Sequence, residues 1–411
     1  MINSQITIVV ADDKQEVIDA VAKDITMLAQ KHGKNIRILK AISGSEVIKL
    51  AEDEHIDAFF IDYMFDYGMN GDEIIQHIAD PFEAKFFILM SGWKEDVLEK
   101  IITTNHRQLK SRCRFLRKPF DALTFQASFL DMFSFFDARP YPLPIQYVYD
   151  VVQNSEGMTR ALALKDFYET LLKFSVSILM ADLLRQDNST TFRVGFKSDA
   201  KLTYGIWLWW LEDLLRFYKG NNEKTLVPEM IKFYETSSTN PLKIIGNFKN
   251  LRNNDLGHGY VKEDEWYEII TNDYEKSFDL LYKDLQFLSR YTLIYPEKTE
   301  NLPDASEGYK YQVKSLMGSD MIPNKVDLST TLRLIPNLVY VYSPSNGVLP
   351  LLPFISYKIC PKCNIRKFYF LDVIQYKYIT YNSFCNHRIE DKEAKIQFDQ
   401  KYRFIFSNGN Y

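Results

Sequence analysis

The sequence predicts a multidomain chain of 411 residues: a doubly wound α/β domain, then an all-α bundle, then a small β-rich domain. Three observations predict it. Over residues 1–137, short continuous apolar runs alternate with stretches of helical periodicity. From the linker at 138–146 to residue 296, only helical patterns occur. From 297 to 411 the runs turn β-branched and aromatic, with turn residues between them.

Composition fits folded domains. Aromatic residues make up 15% of the chain, enough for well-packed cores and too many for a disordered one. At about 100–200 residues per domain, the length suggests two to four of them. The net charge of −4 gives no general attraction to nucleic acid, so any such contact must come from a local patch. No apolar run approaches the ~20 residues of a membrane span. The opening "MINSQITIVVADDKQ" has no basic leader region, so the expected location is cytoplasmic, with no membrane partner. Four cysteines in so long a chain do not make a disulfide framework.

The first domain reads strand by strand. "ITIVVA" is continuously apolar, as a buried parallel strand should be, and "EVIDAVAKDITMLAQKHG" follows as a helix closed by Gly33. The alternation continues through "IRILKAI", "GSEVIKLAEDE", "DAFFID", "GDEIIQHIAD", "AKFFILMS", "KEDVLEKIITTNHRQLK", "CRFLRKP" and "DALTFQASFLDMFSFF". Five strands alternate with five helices, and such a sheet carries its site at the carboxyl ends of its strands. Asp12 and Asp13 follow the first strand, Asp62 ends the third, Ser91 the fourth and Lys118 the fifth. Three carboxylates in one crevice repel one another unless a hard cation such as Mg²⁺ joins them. A lysine and a hydroxyl beside it can hold phosphoryl oxygens.

Over about residues 5–137 this pattern resembles the flavodoxin-like receiver domain of response regulators. The resemblance implies two-component signalling, with Asp62 as phosphoacceptor and a sensor histidine kinase as partner. It implies Mg²⁺ held by Asp12, Asp13, Asp62 and the Met64 carbonyl, and Ser91 and Lys118 on the phosphoryl group. It also implies that Phe115 is the aromatic that changes rotamer on activation. The loop "DYMFDYGMNG" departs from the family: it lacks the usual proline after the acceptor and is one residue longer than common, which bears on phosphorylation. Two other readings stay open: ordinary loop acids, and a degenerate receiver that is not phosphorylated.

After the linker "ARPYPLPIQ" (138–146) come the expected helices "TRALALKDFYETLLKFSVSILMADLLRQ", "KLTYGIWLWWLEDLLRFYKG" and "TLVPEMIKFYET". Next are "NPLKIIGNFKNLRNNDLG", opened by Asn240 and Pro241, and a long "EDEWYEIITNDYEKSFDLLYKDLQFLSRYTLIY". The aromatic run "GIWLWWLEDLLRFY" reads as core or dimer interface. Within "LRNNDLGHGY", Arg252 and His258 stand six positions apart. At about 100° per residue that offset does not share a helix face, so the pair converges only if the helix ends between them. Gly257 and Gly259 permit that. An arginine that grips phosphate and an imidazole that titrates near neutrality suit attack of a ribose 2′-hydroxyl on its own phosphate.

The run Arg252-Asn253-Asn254-Asp255-Leu256-Gly257-His258 in an all-helical setting resembles the HEPN superfamily of ribonucleases, over about residues 147–296. The resemblance implies an RNA substrate and a site formed across a homodimer. Arg252 would polarise the phosphate, His258 would move the proton, and Asn253 would orient them. The alternatives are an inactive bundle that only dimerises or binds a partner or RNA, and a helix end with no site.

In the last domain, "CPKC" (360–363) and "CNH" (385–387) supply Cys360, Cys363, Cys385 and His387, a set suited to closed structural Zn²⁺. The turn and its strand-like flanks resemble a zinc ribbon. The Cys-x-His gap is tighter than usual, so the cysteines carry the set more firmly than His387. Unrelated thiols are the competing reading. Residues 356–411 hold ten Lys/Arg against five Asp/Glu, interleaved with aromatics such as Tyr357, Phe368, Tyr369 and Tyr376, which suits either single-stranded RNA or a solvated sheet face.

The function these features predict is a response regulator whose phosphorylation controls a metal-independent endoribonuclease, in stress or anti-phage defence. The alternative is a non-catalytic response regulator whose bundle mediates dimerisation or binding.

Overall fold

The computed structural model describes residues 5–79, 85–93, 109, 112–185, 194–196, 201–221, 225–251, 264–301, 308–318, 323, 325–343, 347–384, 386–401 and 406–408. The chain divides into two compact units. One comprises Asn3–Pro140 with Ser343–Ser345; the other comprises Met1–Ile2, Tyr141–Tyr342 and Asn346–Tyr411.

The first unit is built on strands β1 (Ile6–Ala11), β2 (Ile36–Ala41), β3 (Ala58–Asp62), β4 (Phe86–Ser91) and β5 (Cys113–Arg117). They lie in the order β2-β1-β3-β4-β5, every pairing parallel. This is the doubly wound order whose crevice opens between β1 and β3. Alternate side chains serve two cores. Val9, Phe59, Ile61, Phe87 and Leu89 meet Val47 of α2 (Gly44–Asp53) and Ile74 and Ile75 of α3 (Gly71–Ile78). Ile8, Val10, Phe60, Ile88 and Met90 meet α1 (Gln15–Lys31) and α4 (Ala122–Asp137). Helix α1 offers Ile18, Val21, Ala22, Ile25 and Ala29, one stripe at three- and four-residue spacing. The starts of α2 and α4 are capped by Ser43 and Asp121, and α3 opens with a capping box from Asn70 and Glu73. The helix expected over 94–110 falls almost wholly outside the described residues.

In the second unit the helices are α5 (Leu143–Gln153), α6 (Gly157–Arg185), α7 (Tyr204–Asn221), α8 (Pro228–Thr236), α9 (Pro241–Leu251) and α10 (Asp264–Asp284). A 3₁₀ turn, Leu285–Arg290, extends α10. Two expectations are corrected. The proline-rich stretch 138–146 is not all linker: Pro142 caps α5 and Pro144 sits in its first turn, where the missing N–H is harmless. The long helix ending at Tyr295 stops at the 3₁₀ turn, and Thr292–Asn301 is strand β7. Its "TLIY" is β-branched and aromatic, and its backbone pairs antiparallel with Tyr309–Ser315 (β8) and Tyr340–Ser343 (β10), partners that local periodicity does not reveal.

With β9 (Lys325–Thr330) and β11 (Gly347–Pro350) these form the sheet β11-β10-β7-β8-β9. A second antiparallel sheet, β12-β13-β14-β15, comprises Ile355–Ile359, Arg366–Ile374, Ile379–Ser383 and Arg388–Asp391. A helix that the sequence reading did not anticipate, α11 (Lys392–Lys401), follows it. The short strands β6 (Val194–Phe196) and β16 (Phe406–Asn408) pair in parallel. Helical and β-rich segments share one hydrophobic core. Trp207, Trp210 and Phe278 from the helices belong to the same cluster as Tyr295, Ile355, Tyr369 and Tyr381 from the sheets.

Candidate functional site

The carboxyl edge of the first sheet gathers the predicted acids. Asp12, Asp13 and Asp62 lie with carboxylate oxygens within 4.8 Å of one another. Lys118, just past β5, spans two of them: its Nζ is 2.5 Å from Asp12 Oδ2 and 2.9 Å from Asp62 Oδ1. Asp12 is 1% exposed and Asp62 8%, while Asp13 and Lys118 are only partly buried, so the lysine compensates buried charge at the floor of a site whose mouth meets water. Backbone N–H groups hold the remaining geometry. Lys14 N–H donates to Asp12 Oδ1 and Asp66 N–H donates to Asp13 Oδ2, both at 3.0 Å.

Burial raises the Asp62 pKa, with Asp12 and Asp13 adding to the rise and Lys118 opposing it. For Lys118, burial favours the neutral amine, but its hydrogen bonds to Asp12 and Asp62 outweigh that, and its pKa rises. Three carboxylates against one ammonium leave excess negative charge around oxygen donors, a set that fits a hard divalent cation.

Ser91 ends β4, buried, and its Oγ accepts the Trp93 N–H at 3.1 Å. Its carbonyl accepts the Lys118 N–H at 2.7 Å, which ties the ends of β4 and β5 together. Phe115 is partly buried on the β5 edge against the core shared with α2 and α3. Met64 stands two residues past Asp62 with its side chain 48% exposed. Sequence reasoning missed three neighbours. Tyr63 and Trp93 pair their rings at 5.2 Å beside the acids. A β-carbon on Gly71 would come within 2.8 Å of the Asp62 carbonyl oxygen. The Asn70-Gly71 step before a helix was the available signal for the glycine.

A second cluster lies in the other unit. Cys360 and Cys363 flank the turn between β12 and β13, and His387 precedes β15. His387 Nδ1 is 3.3 Å from Cys360 Sγ and 3.2 Å from Cys363 Sγ. The turn is a tight knuckle: Cys363 N–H points at Cys360 Sγ at 3.5 Å, and Asn364 N–H donates to the Cys360 carbonyl at 2.8 Å. Asn364 closes it in the left-handed region at φ 54°, which asparagine tolerates. A hydrogen bond to Tyr369 is the largest influence on the Cys360 thiol. Despite burial, and helped by the backbone N–H groups of Cys363 and Lys362 and by His387, it lowers the pKa to about 5. A thiolate-ready sulfur beside a second sulfur and an imidazole is a donor set suited to Zn²⁺.

Arg252, Asn253 and His258 lie outside the described residues, as does Cys385. Among the described residues, no helix is long and apolar enough to cross a membrane.

No protein-family model matches the chain, and no curated protein matches it. Solved structures do. A response regulator receiver protein from Sinorhizobium medicae WSM419 is 17% identical over 32% of this chain and 96% of its own, with a TM-score of 0.26. A receiver domain protein from Clostridium thermocellum is 17% identical over 31% of this chain and 94% of its own, also at 0.26. The receiver domain of the hybrid histidine kinase CckA is 20% identical over 31% of this chain and 97% of its own, at 0.22. Each of these likenesses covers about a third of this chain; what bears on chemistry is the geometry at the strand ends of the first sheet.

Proposed function

We propose that the chain is a response regulator in which phosphorylation of Asp62 governs a metal-independent endoribonuclease in the second unit. The observation that supports the first half is Lys118 Nζ bridging Asp12 and Asp62 at the carboxyl edge of the parallel sheet. Asp12, Asp13, Asp62 and the Met64 carbonyl would hold Mg²⁺, which when bound neutralises charge on a phosphoryl group. An Asp62 carboxylate oxygen attacks the phosphorus of a phosphohistidine on a sensor kinase. The P–N bond breaks, and the imidazole leaves with a proton. Lys118 and Ser91 take phosphoryl oxygens in place of their present partners, and Phe115 repacks on the β5 edge.

For the output, Arg252 grips a phosphodiester and His258 shuttles the proton while Asn253 orients both, in a cleft made by two copies of the chain. The 2′-hydroxyl attacks the adjacent phosphorus, and the 5′-oxygen leaves protonated. What supports this is the "RNNDLGH" run, which in sequence starts directly after the last residue of α9 and precedes α10. In the same unit, Cys360, Cys363 and His387, with Cys385 as fourth ligand, hold structural Zn²⁺.

The test uses purified full-length protein with Mg²⁺, acetyl phosphate and labelled RNA. Intact mass should gain one phosphoryl group in the native chain and none in Asp62→Asn. RNA should still be cut to cyclic-phosphate ends once EDTA has removed the metal, and not by His258→Ala. Failure to gain the phosphoryl group removes the receiver reading. Equal cutting by His258→Ala removes the nuclease and leaves a non-catalytic regulator.

A further inference from the structure

We propose that the second unit binds a nucleoside monophosphate in a cavity of about 440 Å³ walled by α6 and the β13–β14 hairpin. The volume lies within the ~300–1,000 Å³ usual for small-molecule sites. Lys165, Asp166, Glu169, Thr170 and Lys173 line one wall at the three- and four-residue spacing of a single helix face. Most of the α6 circumference is buried in the hydrophobic core. Charges on its remaining face would ordinarily project into open water. Here the side chains of Lys165, Glu169 and Lys173 are only 22%, 15% and 22% exposed, against 48% for Asp166. They form a ladder: Lys165 Nζ is 2.6 Å from Asp166 Oδ1, and Lys173 Nζ is 3.6 Å from Glu169 Oε2.

The opposite wall has different chemistry. Asn382 and Asn386 place two side-chain amides there, the first donating to the second at 3.1 Å. Phe370 and Phe384 supply aromatic surface beside them, their rings 5.8 Å apart. At the edge of the cavity the backbone of Lys201 bridges to Val373, and Leu202 N–H donates to the Asp372 carbonyl at 2.8 Å. This fixes the root of an exposed amine.

The charge count selects the ligand. Lys165, Lys173 and Lys201 face Asp166, Glu169 and Asp372. Arg388 Nε, 3.2 Å from Asp372 Oδ2, compensates the last carboxylate, which leaves three ammonium groups against two carboxylates. A single phosphate suits that balance, with lysines as its point charges. Asp166 and Glu169 suit sugar hydroxyls, as acidic residues do in dinucleotide sites. An asparagine amide matches the donor–acceptor edge of a base, and Phe384 adds apolar surface beside it. A polyphosphate would meet repulsion from the two carboxylates, and an apolar ligand would strand the ladder.

The residues that line the cavity include neither Asp62 nor Arg252 nor His258, so its test reads different side chains from those of the proposed function. Titration calorimetry of the full chain with AMP, GMP, CMP and UMP should show saturable binding of at least one. Lys201→Ala and Asn382→Ala, on separate walls, should each weaken it by about tenfold or more. The thermal midpoint of each variant without ligand should stay close to that of the native chain. A 5′-phosphorylated oligoribonucleotide is the second arm. If it binds with the same variant sensitivity where mononucleotides fail, the source of the nucleotide is an RNA terminus. The proposal is overturned if no probe binds at about 1 mM. It is equally overturned if unphosphorylated nucleosides bind as tightly as the monophosphates, or if both folded variants bind like the native chain.

Discussion

Gly71 lies so close to the end of β3 that one added methyl has nowhere to go. A β-carbon there would sit 2.8 Å from the Asp62 carbonyl oxygen and 3.1 Å from Tyr63 Cα, backbone atoms that cannot swing aside. We expect Gly71→Ala to displace the loop after β3, to cost about 1–3 kcal/mol in urea unfolding, and to slow Asp62 phosphorylation. Native values for both would show that the loop absorbs the methyl. Cys113 makes a second test at this scale. Burial pushes its thiol up to about 12, against the pull of Arg114 and Arg112. The stabilisation linked to that proton is whole below the ordinary thiol value, about 8.5, because the unfolded chain gives up its proton first above it. It is lost as pH climbs towards the folded value of about 12. At pH 8 a thiol reagent should therefore label Cys113 only after unfolding, as peptide mapping would report; rapid labelling of the folded chain would contradict the burial. The acids and Lys118 were legible because parallel strands bring their carboxyl ends together whatever lies between them. Gly71 was not, because its role rests on a distance across a loop.

Strands and helices with local signatures were read well, and those defined by distant partners were not. The β-strands of the first sheet are continuous apolar runs because both faces are covered. Strand β7 continued an established helical pattern, and its true partners are β8 and β10. Helix α11 is polar, with Ala394 and Phe398 the residues it gives to the core, so its apolar stripe is too thin to read. The ligand cavity was invisible for the same reason: α6 and the β13–β14 hairpin are some two hundred residues apart in sequence. The knuckle hairpin was legible from its cysteines, and it carries a prediction of its own. Its two turns are held close by His387 near both sulfurs, among short strands. Chelation of Zn²⁺ should therefore loosen β12–β15 as a block. Hydrogen exchange should rise across that sheet and not in β1–β5, and Cys363→Ser should reproduce the effect without chelator. If neither treatment changes exchange there, the thiols are not held by metal.

The two units have separate hydrophobic cores, and that sets how the molecule as a whole should unfold. Phe59 packs in the first, stacked on Phe87 at 5.5 Å. Trp207 packs in the second, fully buried and 5.3 Å from Trp210. Calorimetry should resolve two transitions, one per unit, since the two cores of the first unit lie on the faces of one sheet and are lost with it. Phe59→Ala removes a buried ring and should lower one transition by about 3–5 kcal/mol, and Trp207→Ala the other. A ligand that binds only the folded state stabilises it by RT ln(1 + [L]/Kd), and a modification that makes new contacts in the folded state acts in the same direction. Acetyl phosphate with Mg²⁺ should then raise the transition that Phe59→Ala identifies, and a mononucleotide should raise the one that Trp207→Ala identifies. A regulator must do more than this. If phosphorylation controls the second unit, the folded second unit must discriminate between the two states of the first. The acetyl phosphate shift must then appear in the second transition too, and vanish in Asp62→Asn. The size of that second shift is the coupling free energy, and a value of zero in the full chain would mean that the phosphoryl group on Asp62 carries no message to the helical unit.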